Sequence, residues 1–233
     1  MILERNITNK INWILDNLVP PILRDNRTFM SIWFKLLFGN KAEHFLDFKE
    51  KVPFLSNDAF EEYYRYLSDK HIERDTDLNK ECLEKILTSI VGKSVLDVGC
   101  GRGYLAKRIA SEKKIGVVGI DIIVPEVDHA IEGVEFVKNN VEKLPFRDKS
   151  FDTVICTHTL EHVLDIEKVV REIRRVAKKK IIIVVPRQRE YKYTFDLHVH
   201  FFPYTYSLKK VMRNKNALCD VIENDIYYEE SVG

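Results

Sequence analysis

The stretch Asp97-Val98-Gly99-Cys100-Gly101-Arg102-Gly103 constrains this chain more than any other. It follows a short apolar run, Val95-Leu96-Asp97-Val98, that reads as a β-strand. It precedes Tyr104 to Glu112, whose apolar residues recur at helical spacing. Glycines between a strand and a helix permit a tight turn and close approach of backbone to a ligand. The spacing is GxGxG, and an acid stands two residues before the first glycine. A carboxylate so near a helix start repels a pyrophosphate but attracts a ligand that carries an ammonium and a sulfonium.

Downstream, apolar strands alternate with amphipathic helices. Gly116 to Asp121 reads as a second strand, Val134 to Val137 as a third, Thr153 to Cys156 as a fourth, and Ile181 to Val185, ended by Pro186, as a fifth. Helices are expected over Ile166 to Ala177 and near Ser207 to Arg213, with Lys178-Lys179-Lys180 complementing a helix C-terminus. This is the pattern of an α/β doubly wound, mostly parallel sheet, in which ligands sit beyond the carboxyl ends of the strands. Asp121 ends the second strand where a carboxylate accepts hydrogen bonds from ribose hydroxyls, in nicotinamide and other nucleoside sites alike. Only about twenty residues follow the last helix, tight for two more strands. The sheet is therefore expected to be abbreviated there, with homo-oligomer contacts covering its edge.

Residues 1–90 show helical periodicity broken at Pro20-Pro21, Gly39 and Pro53 and are expected to form a helical cap or lid. Residues 91–233 form the ligand-binding core. Asp77 is the expected N-cap of a helix running to Leu87. The run Phe29 to Phe38 is far shorter than the roughly 20 residues that span a bilayer and reads as a packed helix. Its aromatics leave open docking on a membrane surface or a lipid-linked substrate. Arg74-Asp75-Thr76-Asp77, with Tyr63 and Tyr64, is a candidate closure over the site, the alternative being that these residues cap and pack helices.

Thirty-seven Lys and Arg balance 36 Asp and Glu. With no basic stripe, no nucleic-acid partner is expected. Four cysteines without a CxxC pair and the lack of a signal peptide fit a cytoplasmic protein without a transmembrane segment.

The choice of ligand comes from Asn140-Val141-Glu142-Lys143-Leu144-Pro145-Phe146, Ser150-Phe151-Asp152-Thr153-Val154 and Leu160-Glu161-His162-Val163. Taken in order after LDVGCGxG and the acid ending the second strand, these motifs resemble the class I methyltransferases that use S-adenosylmethionine (SAM), in particular the type 11 group. The resemblance covers roughly Lys93 to Pro186. It implies a Rossmann-like fold, SAM as cofactor and S-adenosylhomocysteine (SAH) as product. Residue by residue it implies that Gly99, Cys100, Gly101 and Gly103 line the methionine portion and that Asp97 holds the amino group. Asp121 would bind the ribose, Ile122 would pack on the adenine, and Asn140 with the backbone of Val141 would meet the adenine edge. Thr157 would lie near the transferable methyl. The group often has Asp where Asn140 stands, so this contact lacks a charge.

His158-Thr159-Leu160-Glu161-His162 also spells the zinc motif HxxEH, but it lies where the methyltransferase pattern has LEH, and no metal is expected. His198-Val199-His200 lies in an aromatic stretch, Asp196 to Tyr206, that in the resembling group borders the acceptor pocket. A base is needed only if the acceptor must lose a proton, and the candidates are His200, His162 and His198. The acceptor is expected to be a small polar metabolite, first a sugar or glycan precursor methylated on O or N. Alternatives are a tRNA or protein methyltransferase, a catalytically silent SAM-binding module, and a nicotinamide oxidoreductase.

Overall fold

The computed structural model describes residues 5–68, 75–124 and 133–233. The chain divides into two compact units, residues 1–74 with 188–201 and residues 75–187 with 202–233.

The first unit is helical, with α1 (Arg5–Asn17), α2 (Pro21–Arg24), α3 (Arg27–Phe38), α4 (Ala42–Lys51) and α5 (Asn57–Ser68). Its breaks follow local chemistry. Pro20 is extended at the N-cap of α2, Gly39 ends α3 at φ 57°, and Pro53 lies in a 3-10 turn. Asn26 starts α3 by accepting the Phe29 amide at 2.9 Å. The Phe29 to Phe38 run is thus a helix whose Met30 and Phe34 are buried. Phe34 stacks on Phe195 with ring centroids 4.4 Å apart, and Phe38 on Phe45 at 3.8 Å. Residues 188–201 are tied to the helices by polar contacts. Asn12 donates to Asp196 at 3.2 Å, and Lys49 donates to Glu190 at 2.7 Å.

The second unit begins with α6 (Lys80–Ser89). Asn79 caps this helix, in place of the expected Asp77. Its Oδ1 accepts the Cys82 amide at 2.7 Å while its Nδ2 donates to Asp225 at 2.8 Å. A carboxylate has no proton for the second bond when ionised, so the amide serves both partners.

Beyond α6 come β1 (Ser94–Val98), α7 (Tyr104–Lys113), β2 (Gly116–Asp121), β3 (Val134–Lys138), β4 (Phe151–Thr157), α8 (Ile166–Val176), β5 (Ala177–Pro186), α9 (Thr205–Val211), β6 (Leu218–Ile222) and β7 (Asp225–Ser231). The seven strands are ordered β3-β2-β1-β4-β5-β7-β6, parallel from β1 to β5 and antiparallel where β7 enters between β5 and β6. Alternation along the strands divides the core. Leu96, Val154, Ile181 and Ile183 pack with Val169, Val170 and Ile173 of α8. Val95, Val117, Ile155 and Ile182 pack with Ile86 of α6 and Ile109 of α7. Burying such faces, at about 25 cal/mol per Å² of apolar surface, is what holds the crossovers on the sheet.

Two expectations are corrected here. Lys178, Lys179 and Lys180 open β5 and do not end a helix, because α8 stops at Val176. Lys179 then reaches Asp152 at 2.8 Å, and Lys180 reaches Glu229 at 2.6 Å. The sheet is also not abbreviated. A two-residue turn at Glu223-Asn224, with Glu223 at φ 52°, joins β6 to β7 and fits both strands into the short C-terminal stretch.

Candidate active site

The carboxyl ends of β1, β2 and β4 lie side by side, since Asp97 is in register with Gly119 and Ile155, and Val98 with Ile120 and Cys156. The glycine loop folds over this edge. The Gly99 and Cys100 amides both donate to the Ile120 carbonyl, at 2.7 and 3.1 Å. Gly99 holds φ 73°, and a Cβ there would stand 2.0 Å from the Thr159 hydroxyl oxygen, so only glycine fits. Gly101, at φ 50°, faces open space, with nothing within 4 Å of where its Cβ would be. Here the backbone is bare toward a ligand.

Asp97 lies on the same strand face as Val95, only 1% exposed, and neither carboxylate oxygen has a well-formed hydrogen bond within the chain. Burial, reinforced by the charge of Asp121 and opposed by the nearby Ala106 amide, pushes its pKa up to about 7. Asp121 is also raised by burial, against the pull of the Ile123, Gly101 and Ile122 amides. Its two oxygens accept the Gly101 amide at 2.8 Å and the Ile123 amide at 3.0 Å, which locks the carboxylate against the loop. The Cys100 thiol is pushed up by burial and by both acids, and so stays protonated. The Cys156 thiol is held well above its ordinary value by burial and by Glu161, with Asp97 and Asp121 adding to the effect. One unit therefore brings two buried or half-buried carboxyls and two protonated thiols to the edge that carries the bare Gly101 backbone.

Asn140 directs its Oδ1 to the Glu142 amide at 2.8 Å, an Asx turn that fixes the loop after β3. Val141 is buried in the core, and Ile122 is half-buried just beyond β2. Thr157 closes β4, and its carbonyl accepts the Thr159 hydroxyl at 3.0 Å.

Residues 96–185 match the family described as a methyltransferase domain. That segment holds the glycine loop, both acids and the LEH block, on strands ordered as above. Over this segment the chain is similar to methyltransferase domains, and its sheet has the Rossmann-like fold of the SAM-dependent methyltransferases. The chain is 39% identical over 101 residues to a ubiquinone biosynthesis O-methyltransferase of Paracidovorax citrulli, covering 40% of this chain and 42% of the relative. It is 35% identical over 102 residues to norajmaline N-methyltransferase of Rauvolfia serpentina, covering 40% and 35%. The matched segment is thus under half of each relative's length. A SAM-dependent methyltransferase from Aquifex aeolicus shares the fold at TM-score 0.52 and 20% identity, over 65% of this chain and 89% of that one.

Of the histidines, His162 belongs to the second unit and to the matched segment. It is half-buried, with its Nε2 4.0 Å from Glu161. His198 and His200 belong to the helical unit, where the His198 Nδ1 meets the Gln188 side-chain oxygen at 2.7 Å. The segment 158–162 is not helical, so the face that HxxEH chemistry uses does not form. Arg74 lies outside the described residues. Tyr63 donates its hydroxyl to the His44 carbonyl at 2.9 Å, and the Thr76 hydroxyl accepts the Leu78 amide at 3.1 Å.

A buried charged chain at this edge is new to the structure. His158, at φ 49°, sits between Glu161 and Asp225, each 3.5 Å from a ring nitrogen, and Asn79 holds Asp225 from behind. Burial opposes protonation of His158, but Asp225 and Glu161 outweigh it and raise the pKa to about 10. The ring is therefore an imidazolium at neutral pH. The LEH block announces Glu161. Nothing local announces Asp225, which is 67 residues from His158 in the sequence.

Proposed function

We propose that the protein transfers the methyl group of SAM to an oxygen or nitrogen of a small polar acceptor. The observation that carries this reading is Asp97, a fully buried carboxylate without a well-formed partner, beside the bare Gly101 backbone. A buried carboxylate of this kind is costly unless a cation meets it, and the ammonium of SAM supplies one. A dinucleotide diphosphate would add negative charge to the same edge. Asp121 then receives the ribose hydroxyls, Ile122 packs on the adenine, Asn140 and Val141 border its edge, and Cys100 and Gly103 complete the loop. Thr157 stands at the methyl-bearing end.

Bound SAM supplies an activated sulfonium methyl, so the residues of the chain chiefly align the acceptor and exclude water. Such positioning is worth roughly 7 to 11 kcal/mol in favourable cases. Where the acceptor is an alcohol, His162 is the base within the domain, and His200 and His198 are the further candidates. A sugar-like acceptor is the first class to test, by resemblance to sugar-modifying members of the group.

Titration calorimetry with SAH and with NAD tests the cofactor assignment. We expect SAH to bind and Asp97→Asn to abolish that binding. NAD binding without SAH binding would overturn the proposal. Turnover of radiolabelled SAM against sugar, alcohol and amine acceptors then tests the acceptor class.

A further inference from the structure

Helix α3 carries two apolar stripes. Met30 and Phe34 form the buried one, whereas Phe29, Ile32, Trp33 and Leu36 repeat at helical spacing along a second, with Ile32 63%, Trp33 48% and Leu36 76% exposed. A helix that needs only to pack has a single stripe with polar residues opposite. The neighbouring helices share the excess. Eight of the fifteen large apolar side chains exposed among the described residues fall between positions 13 and 36, including Trp13 on α1 and Ile22 on α2, the latter 80% exposed. Both tryptophans of the chain are among them.

The charge around this surface is net positive, Lys10, Arg24, Arg27 and Lys35 standing against Asp16 and Asp25, of which Asp25 is exposed at the C-cap of α2. Lys10 and Lys35 are exposed, and the one carboxylate within the three helices, Asp16, is half-buried with its pKa raised by burial, near Arg189 and Arg24. Arg27 is answered by Glu43 and Asp47, each at 2.7 Å. Protein interfaces are depleted in lysine, whereas bilayer interfaces collect tryptophan, leucine and lysine together. Among the described residues no helix is long and apolar enough to cross a membrane, so a bilayer would be met from its surface.

We propose that the exposed face of α1, α2 and α3 docks the protein on an anionic phospholipid surface, with Trp13, Ile22, Trp33 and Leu36 entering the interface and Lys10 and Lys35 facing the headgroups. This is independent of the cofactor assignment.

The test uses the full chain with unilamellar vesicles of phosphatidylcholine, either alone or containing about one-third phosphatidylglycerol, whose negative surface potential attracts each nearby Lys. The protein is expected to sediment with the anionic vesicles and its tryptophan emission to shift to the blue, since both reporters leave water. Removing both cations, by Lys10→Gln with Lys35→Gln, should weaken binding about thirtyfold, each lysine near the surface counting for about fivefold. Ile22→Asp and Leu36→Asp should abolish it with circular dichroism and SAH binding unchanged, because both side chains lie in solvent. Failure to bind anionic vesicles, equal binding to neutral ones, or binding indifferent to the aspartate variants would each overturn the proposal. So would an emission shift that follows protein concentration without lipid, the mark of a second copy on the same face.

Discussion

Replacing Asp97 by asparagine should make the protein more stable at alkaline pH while removing its cofactor site. The Asp97 carboxyl is held at about 7 in the fold, against an ordinary 3.8. At 1.36 kcal/mol per unit, the ionised group costs the folded state about 4 kcal/mol relative to the unfolded chain. The sign follows from proton counting. Between pH 4 and about 7 the folded protein retains a proton that the unfolded chain has lost, so stability falls as pH rises through that window and then levels off. The substituted side chain would carry no charge at any pH, and its buried amide, short of partners, would cost about 1–3 kcal/mol. The variant should therefore exceed the wild type by about 1–3 kcal/mol at pH 8 and fall slightly below it at pH 4.5. Urea unfolding at the two pH values reads the difference from the midpoints at constant slope. SAH titration of the same samples should show binding in the wild type, weakening below pH 7 as Asp97 is protonated, and none in Asp97→Asn. A variant destabilised equally at both pH values, or one that still binds SAH, would refute the argument that Asp97 is a strained charge awaiting a cation.

Gly99→Ala should lose about 3 kcal/mol or more and fail to bind SAH, because its Cβ meets Thr159 at 2.0 Å on a left-handed backbone. Urea midpoints and calorimetry check both effects. Gly101→Ala, open to solvent at φ 50°, should cost only about 1–2 kcal/mol of stability, yet weaken SAH binding at least tenfold if the ligand lies against that backbone. His158→Gln should destabilise by about 3–5 kcal/mol near pH 7, since it leaves Glu161 and Asp225 buried without a countercharge. The pH course is opposite in origin to a carboxylate in an ion pair. The raised His158 pKa gives a contribution fully present below about 6.5 and lost as pH rises toward 10, so unfolding midpoints of wild type and variant should converge across that range.

What the sequence made legible is what neighbouring residues decide. The glycine loop, its two acids and the strands β1, β2, β4 and β5 are contiguous, and each strand is an apolar run that only a buried parallel sheet accommodates. The β6–β7 hairpin escaped because the stretch after the last helix is short for two strands, and its acids Asp225, Glu229 and Glu230 find partners only through long-range pairing. Those acids are answered by residues far away in the chain, Glu229 by Lys180 and Glu230 by Arg174 at 3.0 Å. The same cause moved the cap of α6. Asp77 and Asn79 are equal candidates by type, and Asp225, brought in by β7, selects the one that donates as well as accepts. Capping and buried charge are thus one event at this edge: Asn79 starts α6, restrains Asp225, and through it holds His158 beside Glu161. Local pattern names the glycine loop and its acids, whereas the long-range hairpin sets the electrostatics behind them, and that second layer becomes readable only once the last two strands are paired.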